Sequence, residues 1–78
     1  MVALFSGQTV RVTTQRLGDA KPLAEFYIVA EAHPLQAEAI VRAAIGATPD
    51  VRVEAIAPRS PAEIEEFHLK PGKYTRSP

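Results

Sequence analysis

FYIVAEAHPLQAEAIVRAAIGATPDVRVEAI, residues 26–56, reads as strand, helix, strand, and the rest of the chain is an accessory to that unit. Pro34 suits a first helical position, because the N–H it lacks has no intrahelical partner there. From it, Ala37, Ile40, Val41, Ala44 and Ile45 recur at i, i+3, i+4, i+7 and i+8, one face of a helix. Gly46 follows the last periodic residue as a C-terminal cap, and Thr48-Pro49-Asp50 turns the chain. Glu38 precedes Arg42 by four residues, the favourable order for a surface ion pair. His33 is an unusual residue to start a helix, where Ser, Thr, Asp or Asn is preferred. Leu35 misses the apolar face and is expected to meet a terminal segment.

The flanking stretches alternate with period two. In the first, Ala24, Phe26, Ile28 and Ala30 alternate with Glu25, Tyr27, Val29 and Glu31. In the second, Val51, Val53, Ala55 and Ala57 alternate with Arg52, Glu54 and Ile56. Such alternation gives each strand one buried and one mixed face. The first set of each strand is assigned to the helix side.

Earlier in the chain, Gln8 to Arg16 is rich in Val and Thr and reads as a half-buried strand, with Val10 and Val12 on one side. Residues 17–22, Leu-Gly-Asp-Ala-Lys-Pro, supply turn chemistry, so this strand and the next should form an antiparallel hairpin. Val2 to Phe5 can extend that strand, cover the core or fray. After the third strand, Ser60 and Glu63 have capping-box spacing, with Pro61 at the first helical position. A short helix to His68 follows, with Ile64 and Phe67 towards the core and acids preceding the cations His68 and Lys70 along its dipole. Lys70-Pro71-Gly72-Lys73 predicts a type II turn.

The resulting expectation is an α+β chain of ββαβα layout. It has a three-stranded mixed sheet, one main helix on one face and a short C-terminal helix. Residues 1–70 form the domain and 71–78 a flexible tail. Strand orders 1-2-3 and 2-1-3 both remain open; the apolar run 26–30 leans towards a central second strand.

Seventy-eight residues make one domain with a thin core. The absence of cysteine removes disulfides, thiolate nucleophiles and zinc-thiolate sites. The opening MVALFSGQ has no basic region ahead of its short apolar run, and no stretch approaches the ~20 apolar residues of a membrane span. A cytoplasmic protein without membrane contact is expected. Net charge is zero, but unevenly laid out. Residues 1–18 hold two arginines and no acid; residues 19–68 hold four bases and all nine acids; residues 69–78 hold three bases and no acid.

Nothing in the chain specifies a reaction. His33 and His68 lack any metal-ligand spacing, Glu65 and Glu66 are adjacent on a helix and point apart, and the serines lack a nucleophile elbow. The four glycines are too scattered to cradle a phosphate. No catalytic residue, metal or cofactor is assigned, and an enzyme is not expected.

The face away from the helix holds the candidate site. By strand parity it shows Arg11, Tyr27, Val29, Arg52 and Ile56, together with Thr9, Thr13, Gln15, Glu25, Glu31 and Glu54. Its apolar centre of Tyr27, Val29 and Ile56 suits an interface, unless the C-terminal helix or Leu4 and Phe5 cover it. A small interaction or regulatory module is expected, forming a homodimer or meeting another protein through this face. The alternative is a nucleic-acid-binding accessory protein using the basic first strand and tail. That reading is weaker, because one tyrosine among glutamates makes a poor base-stacking platform.

The ending PAEIEEFHLKPGK, after a Glu-, Ala- and Val-rich strand–helix–strand, resembles short bacterial α+β proteins of a domain of unknown function. The likeness covers residues 23–73. It implies the ββαβα layout and carries no site residue to this chain.

Overall fold

A computed structural model describes residues 6–14 and 21–77, in the order β1 (Gly7–Thr14), β2 (Leu23–Val29), α1 (Pro34–Ile45), β3 (Val51–Arg59), α2 (Pro61–Glu66) and β4 (Tyr74–Arg76). The expectations for Val2 to Phe5, for Gln15, and for most of the turn at 17–22 lie outside the described residues.

Among the described residues the layout is α+β, but the sheet has four strands in the order β3-β1-β2-β4, and every pairing is antiparallel. The mixed three-stranded sheet is therefore corrected. β2 and β3 do run the same way, as the β2–α1–β3 connection requires. They are not neighbours, because β1 lies between them and pairs with both. Of the two open strand orders, 2-1-3 is the one adopted.

The fourth strand comes from the segment assigned to the tail. Lys70–Lys73 makes the expected turn: Lys73 N donates to Lys70 O at 3.0 Å, and Gly72 takes the left-handed φ of 78° that its type II position requires. Gly72 N then donates to Ala30 O, and Ala30 N to Lys73 O, at 2.9 and 2.8 Å. These bonds lead Tyr74–Arg76 along β2, and Ser77 N closes the pairing on Phe26 O at 2.8 Å. Backbone pairing holds β4, where side-chain burial is slight.

Two apolar clusters lie on opposite faces of the sheet. On the α1 face, Val10, Val12, Tyr27, Val29 and Val53 pack with Ala37 and Val41 of the helix, flanked by Ile40, Ile45, Val51 and Ala55. Ala44, expected in the helix stripe, is exposed, and Leu35 is exposed with it. Gly46 caps the helix at φ 62°, its N–H reaching Arg42 O. On the other face, Ile28, Ala30 and Ile64 pack together, with Leu69 against them.

This arrangement reverses the expected parity of β2. Register pairs Val10 with Tyr27 and Gln8 with Val29, so Tyr27 and Val29 join the valines under α1. Phe26 and Ile28 face the other way. Tyr27 and Val29 meet α1 and Ile28 meets Ile64 of α2, whereas Phe26 remains exposed.

α2 begins as the sequence predicts. Ser60 Oγ accepts from Glu63 N, while Glu63 Oε1 accepts from Ser60 N, both at 3.3 Å. The helix proper ends at Glu66, and Phe67 beyond it is exposed. His68 adopts a left-handed φ of 55° and donates its N–H to Glu65 O. Its side chain is thus carried by the turn after the helix rather than by a last helical residue. The fully buried Ile64 of α2 sits over Gly7 of β1.

A Cβ at Gly7 would overlap both the Val29 carbonyl oxygen and Ile64 Cδ1. The first obstacle is backbone and cannot rotate away. Gly7→Ala should therefore lower unfolding free energy by about 2 kcal/mol or more, and Ile64→Ala by about 2–5 kcal/mol. Urea titration checks both values. A Gly7→Ala loss within measurement error would mean that α2 does not seat on β1 this closely.

Candidate functional site

α1 covers one face of the sheet along β3, β1 and β2, whereas α2 spans only six residues and covers one end of the other. The uncovered part of the α2 face is the candidate surface. Cross-strand register runs from Phe26 on β2 to Arg11 on β1 to Glu54 on β3. The next row is Ala24, Thr13 and Arg52. Phe26 is 39% exposed.

The charges on this face are mutually engaged. Arg11 donates to Glu54 Oε1 at 3.5 Å, and Arg52 lies 3.9 Å from the same oxygen. Among the described residues, the buried Arg11 Nε has no hydrogen-bond partner, so this guanidinium is incompletely satisfied there. Arg11 lies directly across from Phe26 in the strand register.

The five residues singled out from the sequence are thus divided. Arg11 and Arg52 share the open face. Tyr27 and Val29, 9% and 0% exposed, belong to the core under α1 and contribute nothing to it. Ile56 is exposed, 44%, at the register shift where β3 carries one residue more than β1, between Ala55 and Ala57. Sequence reasoning missed Phe26, because it assigned that residue to the buried set. The signal that could have found it was the apolar character of both sets in residues 26–30.

Tyr27 has a defined polar setting at the edge of the core. Its hydroxyl donates to Glu25 Oε2 at 3.4 Å, Glu25 pairs with Arg76 at 2.9 Å, and Tyr74 meets its ring edge-on at 6.1 Å. Burial, and then the Glu25 carboxylate, push the Tyr27 phenol above its ordinary 10.0.

A second cluster sits where β3 enters α2. Arg59 donates from Nε to Thr9 Oγ1 and from its terminal nitrogen to Glu63 Oε2, the latter at 2.8 Å. Thr9 is 4% exposed, so Arg59 satisfies a buried hydroxyl while tying α2 to the sheet. Every member of this cluster is occupied by another, which marks it as a structural tie.

At the end of the open face, beside the Thr13–Arg52 row, an open cavity of about 230 Å3 is lined by Thr13, Pro22, Asp50 and Arg52. That volume falls below the ~300 Å3 at which pockets usually hold a small molecule. Among the described residues no three His, Asp or Glu side chains gather as a metal site, and no helix is long and apolar enough to cross a membrane. His33 is exposed, and its backbone N–H donates to Glu31 at 3.1 Å.

No family model, curated protein or solved structure matches this chain.

The Arg59 hydrogen bond, followed by the Ser60 amide, holds the Glu63 carboxyl below its ordinary 4.5. A depressed carboxyl stabilises the fold above its unfolded value, and that contribution is lost as pH falls through the folded value. In urea titrations stepped downward from pH 4.5, wild type should lose stability faster than Glu63→Gln. Equal slopes for the two proteins would remove Glu63 from the acid response.

Proposed function

We propose that this chain is a small interaction module that self-associates through the uncovered part of the α2-side sheet face. The observation that carries this reading is Phe26, exposed across from an Arg11 whose Nε has no partner. A second surface laid on that face would remove the ring from water.

A second copy is the favoured occupant on charge grounds. Net charge is zero, so two copies meet without long-range repulsion. The face carries both signs, Arg11 and Arg52 with Glu54, and so does not oppose its own image as a single-sign face would. Size sets the strength. Three strands about 4.8 Å apart, with about six residues each at about 3.4 Å, make a platform of roughly 300 Å2. That is small against the ~800 Å2 per partner of a standard interface, so the association belongs to the weak, concentration-dependent class.

Nucleic-acid binding receives less support. Arg11, Arg52, Arg59 and Arg76 each lie within ion-pair distance of a glutamate, and phosphate would have to displace those carboxylates.

Light scattering across a concentration series tests the reading. Wild type should pass from monomer towards dimer as concentration rises. Phe26→Glu should remain monomeric, while Leu35→Glu, on exposed α1, should behave as wild type. A wild type that stays monomeric throughout, or a Phe26→Glu protein that still dimerises, overturns it.

A further inference from the structure

We propose that Glu38 is a latch on the outer edge of β3, and that without it β3 accepts the β3 of a second copy as an antiparallel neighbour. This interface is separate from the sheet face considered above.

Among the described residues β3 is an edge strand, nine residues long. In an antiparallel pair, alternate residues direct their N–H and C=O groups to the partner, and the others direct theirs away. The odd-numbered residues of β3 before the register shift are the outward set, because two of their amides are bonded away from β1. Val51 N donates to Thr48 O at 3.0 Å, and Ala55 N donates to Glu38 Oε2 at 2.9 Å. Val53 lies between them with the same parity. An approaching strand needs this set of groups, and both amides flanking Val53 are already taken.

The two blocks differ in kind. Thr48 belongs to the loop entering β3, so its carbonyl is part of the chain's own turn. Glu38 reaches from α1, seventeen residues away in sequence, and half-buries a carboxylate to make a single bond to a backbone amide. The expected Glu38–Arg42 surface pair is not the bond it makes. The amide that donates to it sits beside the register shift, where the pairing of β3 with β1 is least regular. Long edge strands invite pairing with other chains, and a charge directed at the edge is a known form of protection.

The sequence of β3 identifies the occupant. An antiparallel pair of two β3 strands with its two-fold at Val53 sets Arg52 opposite Glu54 of the second copy, and the reverse. The same register sets Val51 opposite Ala55, both on the apolar side. Opposite charges across a strand pair favour the register. Pro58 has no N–H and limits how far such pairing can run.

The test uses the full chain, with wild type and Phe26→Glu as parallel parents, so that failure of the face reading leaves this experiment intact. On either parent, Glu38→Ala should double the mass seen by light scattering at a concentration where the parent is unassociated. Glu38→Gln, which keeps an oxygen acceptor, should leave the parent's mass unchanged. On the Phe26→Glu parent, where the face is already disabled, adding Arg52→Glu to Glu38→Ala should return it to the parent's mass, and adding Glu54→Arg as well should restore the doubling. In wild type, the Ala55 amide should exchange slowly with solvent, and its NMR shift should differ from that in Glu38→Gln. A folded Glu38→Ala protein with unchanged mass, a doubling indifferent to Arg52→Glu, or an Ala55 amide insensitive to Glu38 each overturns the proposal. The NMR measurement decides the latch even if Glu38→Ala does not fold.

Discussion

The position of β1 between β2 and β3 is the constraint on which the remainder depends. Both neighbours take β1 antiparallel, so the strands joined through α1 run the same way without touching. That separation lets α1 lie across three strands. It also fixes which side chains meet: Val10 and Val12 of β1 set the parity for Tyr27 and Val29 on one side and for Val53 and Ala55 on the other. Gly7, at the start of the same strand, leaves the space in which Ile64 docks α2 on the opposite face.

The two helices divide the sheet unequally, and the candidate surface arises from that inequality. α1 is twelve residues long and closes its face, whereas α2 is six and ends before the row of Phe26, Arg11 and Glu54. Single exposed apolar residues are ordinary on a small protein. Phe26 differs because its cross-strand neighbour holds a buried, unpartnered polar atom. The edges of the same sheet are managed differently. β4 is short, and β3 carries Glu38, a register shift and Pro58. These edge features leave the partly open face as the surface on which the proposed association rests.

Local elements were legible in the residues that make them. Pro34 with the spacing to Ile45 and Gly46 gave α1 its ends, and Ser60-Pro61 with Glu63 gave α2 its start. Turn chemistry at Lys70–Lys73 was equally plain. The candidate face was legible only in part: Arg11 and Arg52 were placed on it, whereas Tyr27 and Phe26 were exchanged. Alternation identifies two sets of residues on a strand. It ranks them only when one set is polar, and in residues 26–30 both are apolar. β4 escaped notice because its stability lies in backbone bonds to an existing edge, which leave little trace in side-chain pattern.

The sequence by itself therefore determined the α+β class, α1 with its ends, the capped start of α2 and the first three strands, because propensity, capping and periodicity are properties of a few adjacent residues. Tertiary structure alone decided that β1 is central, that Tyr27 and Val29 face α1, that the C-terminal segment supplies a strand, and that Glu38 bonds Ala55 rather than Arg42. Each of those outcomes depends on partners distant in sequence. A strand's neighbours decide which of its faces is inside, and a carboxylate's partner is set by which backbone amide the packed helix brings within reach.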